Sequence, residues 1–349
     1  MKGLAGVLGR RLGASPYASA ALVAAGALLL IGAVIAVAGF NPVAVVVSLL
    51  SQSLGTLNGI TEVLVRSIPL TLTGLGITVA FRARMFNVGG DGQIIFGALG
   101  FVGFSLAFPQ LSGWLLLPLA MIAGVLGGAV WGGIAGLLRA RYNASEIIVT
   151  IMLTYVAFQA LGWAIRGPLQ ESMKVFPRSD TVPASVTLGL LVEGSRLHWG
   201  LAIALVATLV VYLVLRFGSF GYRLDAVGEN PAAARHGGIR DRVTMALALT
   251  VSGGLAGLAG AVEIAGVHGR LHDAFAEGTG ITAIAVALLA RLNPLFVPLA
   301  ALMFAVLAVG AGGLQRQLGI PFPLVHIVEG IVILAFLVAG RLRPAAAGV

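Results

Sequence analysis

The chain has 349 residues, 58% of them hydrophobic and 10% charged. Its mean hydropathy is +1.01, too apolar for a soluble globule and suited to an all-α integral membrane protein. The net charge of +9 does not point to nucleic acid, because nearly all the basic residues are arginines scattered along the sequence with no concentrated arm. Absence of cysteine excludes disulfides, thiolate metal sites and a cysteine nucleophile, and the five histidines show no HExxH or similar ligand spacing, so no metal site is expected.

Lys2, Arg10 and Arg11 precede an apolar run from about Ala20 to Ala38. It resembles a signal peptide, but roughly 20 apolar residues match a bilayer span better than the 7 to 15 of a signal core, so it reads as a first helix with its N-terminus inside. Residues 42–59 carry Ser48, Ser51, Gln52, Ser53, Thr56 and Asn58 and read as an outer-side or re-entrant segment. The next apolar stretch, Glu62 through Phe81, meets Arg82 and Arg84, which place its end in the cytoplasm.

Phe86 to Gln93 reads FNVGGDGQ and must interrupt any helix. Gly89, Gly90 and Gly92 each disfavour helix by about 1 kcal/mol relative to alanine, while Asn87, Asp91 and Gln93 offer polar groups to unpaired backbone. Two readings fit. One is a discontinuous helix, the device with which transporters build substrate sites from half-helix ends. The other is a tight cytoplasmic turn, for which Gly, Asn and Asp are equally suited.

Leu115 to Leu138 forms a span ending at Arg139 and Arg141; Ile147 to Ile165 forms another, with Glu146 in its first turn where the helix dipole favours a carboxylate. Residues 166–199 make a long extracytoplasmic loop that meets a delivery protein or is merely solvated. Leu201 to Leu215 returns inward to a polar segment, residues 220–240. There Asn230 can cap a short helix, Pro231 suits its first turn, and Gly237 and Gly238 can end it. So short a helix needs something to dock against, and its flanking arginines put it in the cytoplasm, where a partner protein or an ordinary basic loop would both satisfy the pattern. Val243 to Val267 spans outward through a glycine-rich run. Glu263 and Glu329 are candidates for a lined cavity because a buried charge in a membrane is expensive, with interfacial placement the plainer reading. Ile281 to Ala290 is a short inward run; Pro294 to Val309 and Leu324 to Ala339 complete about ten spans in a single membrane domain over residues 1–349. The predicted inner segments hold about twice as many Lys and Arg as the outer ones, the bias expected when both termini are cytoplasmic.

An internal echo supports discontinuous helices. GLGITVAFRARMFNVGGDGQIIFGAL is answered by GLAGAVEIAGVHGRLHDAFAEGTGITAIAVALL, each running span, Phe, Gly-X-Gly, short span, the first at the inner face and the second at the outer. That is the pattern of an inverted repeat about an in-plane axis.

FNVGGDGQ, NASEIIVTIMLTYVA, GENPAAARHGGI and GITAIAVALLARLNP together resemble permease subunits of ATP-binding-cassette importers in the ribose and nucleoside branch, over about residues 60 to 340. Within it the likeness is to the larger permease of nucleoside systems served by basic-membrane-protein lipoproteins. The resemblance implies that Gly228, Glu229, Asn230, Pro231, Ala233, Ala234, Arg235 and Gly237 form the coupling helix that docks on the ATPase. Asn87, Gly89, Gly92 and Gln93 match a pattern that usually reads FNIGAEGQ, with Asp91 in place of Glu. It also implies alternating access in a bacterial or archaeal cell (inner) membrane, with three partners: an ABC ATPase carrying ATP and Mg, a related second permease, and a substrate-binding lipoprotein or periplasmic protein. Neither Lys2 nor Lys174, the only lysines, sits in a GxxxxGKS/T loop, so this chain has no P-loop and is not read as an enzyme.

On this reading Asn87, Asp91 and Gln93 would contact the solute, and Phe86 or Phe275 would stack on a base, against the plainer role of apolar filler. The alternatives are a ribose-like sugar permease, a gradient-driven transporter using Asp91, Glu263 or Glu329, an intramembrane enzyme, and a channel.

Overall fold

The structure, a computed structural model, describes residues 16–318 together with 327, 330 and 331. Lys2, Arg10, Arg11, Glu329, the predicted span from Leu324 to Ala339 and the placement of both chain ends lie outside the described residues. Among these residues the chain is helical, with only isolated bridges between extended segments. A core unit comprises Thr61–Met303, and the chain before and after it makes a second unit.

In the second unit, α1 (Pro16–Val37) is followed by α2 (Pro42–Leu54). Asn41 starts α2 by accepting the N–H groups of Val43 and Ala44, with Pro42 at the first helical position. The two helices bend by 105° at this break, a broken or re-entrant path. Ile35, Val45 and Leu314 form its small buried cluster.

The chain then enters the core through α3 (Leu57–Arg82), followed by α4 (Gly90–Ala107), α5 (Gly113–Tyr142), α6 (Glu146–Arg166) and α7 (Gly200–Phe217). Two short helices, α8 (Ser219–Glu229) and α9 (Pro231–His236), precede α10 (Asp241–Glu263), which runs on through a π turn at Ile264–His268. Then come α11 (Thr279–Leu289) and α12 (Val297–Leu318). Seven helices among the described residues are long and apolar enough to cross a membrane, or eight if the bent α1–α2 pair counts as one span. The ten expected also counted Leu324 to Ala339, outside the described residues, and the run of α11, whose 11 residues reach about 16 Å, half a hydrocarbon core.

The core is held by helices packed backbone to backbone. Gly124, Gly128, Gly132 and Gly136 recur every fourth residue along α5 and make one buried stripe. Gly128 and Gly132 face Gly253 and Gly257 of α10, Gly136 faces the Ala246 backbone, and Gly97 of α4 lies against Gly257, with no room for a Cβ at any of these contacts. Close approach of this kind replaces the hydrophobic drive that is missing between helices in lipid. Around the seam, Ile94, Ile95, Phe101, Leu116, Leu161 and Val262 are fully buried.

The loop of residues 167–199 is pinned to the core unit. Ser179, Val182 and Leu188 donate their N–H groups to the carbonyls of Leu271, Gly269 and Ala265 at 3.1, 2.9 and 2.8 Å, so the loop lies on the π turn and the segment after it. At its end His198 is fully buried, its Nδ1 accepting the Gly200 N–H at 3.1 Å and its Nε2 without a partner. Burial pushes its pKa down, against the opposing pull of Glu263.

Two outcomes are expected. Gly128→Leu or Gly257→Leu costs at least about 1–3 kcal/mol by overpacking and lowers the melting temperature in detergent, whereas Gly103→Ala, with open space around it, does not. Because His198 protonates more readily in the unfolded chain, its neutral ring contributes stability that is full above about pH 6.5 and is lost as the pH falls below that value. Melting temperatures recorded from pH 7.5 down to 5 check this.

Candidate functional site

The site is built where α3 stops and α4 begins. α3 ends in a turn that puts Arg84 in the left-handed region at φ 54°, with the Arg84 and Met85 N–H groups bonded back to Phe81 and Ala80. The chain then runs non-helically to Gly89 and re-enters helix at Gly90. FNVGGDGQ is therefore a break between helices, and it is enclosed: Asn87, Asp91 and Gln93 are 1%, 5% and 2% exposed. An exposed cytoplasmic turn does not describe it.

Asn87 satisfies the break. Its Oδ1 accepts the Gly89 N–H at 3.0 Å and Gln93 Nε2 at 3.0 Å. Its Nδ2 donates to Gln93 Oε1 at 2.8 Å and to Ser252 Oγ of α10 at 2.8 Å. The Val88 N–H reaches Thr150 Oγ1 of α6 at 3.3 Å. The two amides thus form a reciprocal pair anchored to α10, and one turn on, Asp91 Oδ1 accepts the Gly280 N–H at 2.5 Å. Gly280 opens α11, and a Cβ on Gly90 would lie 2.8 Å from the Gly280 Cα. The N-termini of α4 and α11 therefore abut, with a carboxyl group between two helix ends where unpaired N–H groups concentrate. This is the juxtaposition of the two Gly-X-Gly echoes. Two buried polar atoms beside it, Thr73 Oγ1 and Trp131 Nε1, have no partner. Trp131 stacks on Phe96 with ring centroids 3.6 Å apart, and its Nε1 would lie 3.2 Å from a Cβ placed on Gly92.

The structure separates the other predicted path residues from this group. Phe86 is 47% exposed and meets Phe81 edge-on. Phe275 is buried against the His268 and His272 rings. Glu263, at the far end of α10, has its Oε2 3.2 Å from His268 Nε2. Ser252, Thr150, Thr73, Trp131 and Gly280 escaped the sequence reading; of these only Gly280 carried a signal, as part of the echoed Gly-X-Gly.

The polar segment 220–240 is two helices. α9 has the expected caps: Asn230 Oδ1 accepts the Ala232 and Ala233 N–H groups at 3.0 and 3.1 Å, Pro231 follows, and Gly238 turns left-handed at φ 81°. The preceding α8 was not foreseen as a helix. It buries Leu224, Val227 and Gly228, and Gly228 packs so closely on the Arg82 carbonyl that no side chain fits. Arg82 holds α8 from the end of α3 through a two-pronged pair with Asp225, its Nε reaching Oδ1 at 2.7 Å and its Nη2 reaching Oδ2. Of the predicted coupling residues, Gly228 and Ala234 are buried within the chain; Glu229, Asn230, Ala233, Arg235 and Gly237 are exposed, with Pro231 half-buried. Arg235 also pairs with Asp241 at 3.4 Å.

A family model for the permease component of branched-chain amino acid transport systems matches residues 59–337. The glucose ABC transporter permease protein TsgB13 of Haloferax volcanii is 36% identical over 330 residues, 91% of this chain and 86% of its own length. The nucleoside ABC transporter permease protein NupB of Lactococcus lactis is 34% identical, covering 87% of this chain and 86% of its own. The guanosine ABC transporter permease protein NupP of Bacillus subtilis is 33% identical, covering 89% of each.

Removing the Asp91 acceptor orphans a buried N–H. Asp91→Ala is expected to destabilise the core unit by about 1–3 kcal/mol, and Asp91→Asn, which keeps an oxygen, by less. The difference in melting temperature between the two variants checks it.

Proposed function

Because the chain belongs to the family of branched-chain amino acid transport system permease components, we propose that it is the membrane permease subunit of an ABC importer that carries nucleosides. The observation that carries this reading is α9, a capped helix with an exposed face, mounted on α8 and clamped through Arg82–Asp225 to the end of α3. Five residues beyond Arg82 lies Asn87, the first member of the buried break. A push from an ATPase on α9 would thus reach the break through α8 and Arg82. We assign Gly228, Glu229, Asn230, Pro231, Ala233, Ala234, Arg235 and Gly237 to this coupling segment, with ATP and Mg held by the partner ATPase. A second permease chain and a substrate-binding protein complete the assembly in the bacterial or archaeal cell membrane.

Nucleosides are favoured by the relatives named for nucleoside and guanosine transport and by the FNVGGDGQ pattern. A simple-sugar substrate is the second reading, on the strength of the relative named for glucose. Asn87 and Gln93 spend their amides on each other and on Ser252, so we assign them to bracing the break; solute would meet them only if that pair opens.

With the assembled transporter in vesicles, labelled guanosine is expected to enter only with ATP, and excess unlabelled nucleoside, but not glucose, to compete. Competition by glucose would move the substrate to sugars. Uptake without ATP that stops when the ion gradient is collapsed would replace the importer reading with a gradient-driven one. Ala233→Arg, on the exposed face of α9, is expected to reduce co-purifying ATPase and uptake about tenfold or more while leaving the melting temperature of the permease unchanged.

A further inference from the structure

A cavity of 1010 Å³ opens beside the coupling segment, bounded by the ends of α3, α7 and α11 and by α8. Its charged lining is Arg82, Arg84, Arg216 and Arg291 against Asp225 and Glu229, four cations to two carboxylates, a surplus of two positive charges. Arg82 already occupies both oxygens of Asp225. Arg84, Arg216 and Arg291 have no ion pair among the described residues, and with Asp225 taken, Glu229 is the remaining carboxylate in the lining.

Topology alone explains arginines on this face. It does not explain their gathering around one concavity, nor the backbone that presents them. Arg84 follows the end of α3 and Arg291 follows α11, both in the left-handed region at φ 54° and 53°, with Leu292 beside the latter at 57°. Glycine is the usual residue at such helix ends, and an L-residue there carries strain that recurs at ligand clamps. Two separate helices thus end in the same unfavourable turn, each setting a guanidinium at the cavity wall. The rest of the lining is two-sided. Tyr212 and Tyr222 supply hydroxyls, Leu215, Phe217 and Pro294 supply apolar surface, and Phe217 and Tyr222 are 75% and 70% exposed at the rim.

We propose that this cavity binds a phosphate-bearing anion, held by Arg84, Arg216 and Arg291. Guanidinium groups match phosphate oxygens in planar, paired hydrogen bonds, and the apolar lining suits a headgroup with its acyl attachments. The phosphate comes from an anionic lipid or from a soluble phosphate. The site does not depend on which solute the chain carries. Since Asp225, Gly228 and Glu229 belong both to the wall and to α8, occupancy bears on the element that docks the ATPase.

The test is native mass spectrometry of the full chain in mild detergent, titrated with phosphatidylglycerol and, separately, with phosphatidylcholine. Phosphatidylglycerol is expected to bind about tenfold or more tighter. The double variant Arg84→Gln/Arg291→Gln is expected to weaken it by about twenty- to thirty-fold, near fivefold for each arginine. Arg84→Lys/Arg291→Lys, which keeps both charges but loses the paired guanidinium geometry, should bind between the parent and the glutamine form, and guards against misfolding of the latter. Arg223→Gln, exposed but outside the cavity, should bind as the parent does. Millimolar inorganic phosphate that displaces the lipid competitively would identify a soluble source, and failure to displace it a lipid source; either result supports the site. Equal affinity for the two lipids, or equal loss in Arg223→Gln and the double variant, would overturn it.

Discussion

A helix that begins inside a bundle leaves N–H groups with no water to accept them, and the whole core unit is arranged around meeting that need. Two helices begin at the same place, α4 at Gly90 and α11 at Thr279, and their backbones touch because both carry glycine at the contact. Asp91 accepts from Gly280, and Asn87 accepts from Gly89 and from Gln93 while donating onward to Ser252. Asn87 and Gln93 thus satisfy each other inside the break, while Ser252, Thr150 and Gly280 tie it to three other helices. Irregular backbone at membrane depth is tolerated only under such cover. The glycine seam between α5 and α10 contributes by bringing α10, and with it Ser252, close enough to reach.

The same break connects the two ends of the proposed mechanism. Arg82 ends α3, its guanidinium grips Asp225 on α8, and its carbonyl is the surface on which Gly228 packs. α8 carries α9, most of whose residues are exposed. Breaking one partner of a partly buried, two-pronged pair costs more than losing an exposed one, because the remaining charge keeps its desolvation. The pair is thus a stiff joint between α8 and the break, and the arginine-lined cavity opens on the same joint.

Some of this was legible in the sequence and some was not, for physical reasons. α9 could be read residue by residue because its determinants are local: an Asn cap, a proline at the first position and glycines beyond the end. The break in FNVGGDGQ was equally local. α8 was missed because Leu224, Val227 and Gly228 are spaced for one buried face but sit among Arg223, Asp225 and Glu229, so the stretch reads as polar loop. Ser252 was invisible as the partner of Asn87, since it lies 165 residues away in a run whose glycines dominate its reading. The loop of residues 167–199 left little pattern, because it is held mainly by main-chain bonds to residues 265–271, with Ser179 Oγ accepting the Leu271 N–H and Val182 and Val186 buried as scattered anchors.

The central claim is that Asn87 lies inside the packed core, against α10. The chain has no cysteine, so Asn87→Cys and Arg84→Cys can each be placed in an otherwise unreactive protein and treated, in open membranes, with a membrane-impermeant maleimide. Residue 84, exposed on the arginine-rich face, is expected to label rapidly, while residue 87, three positions on, labels at least about a hundredfold more slowly, as a group reached only by opening that costs about 3 kcal/mol would. Equal labelling at the two positions would contradict the account and return the stretch to an exposed cytoplasmic turn.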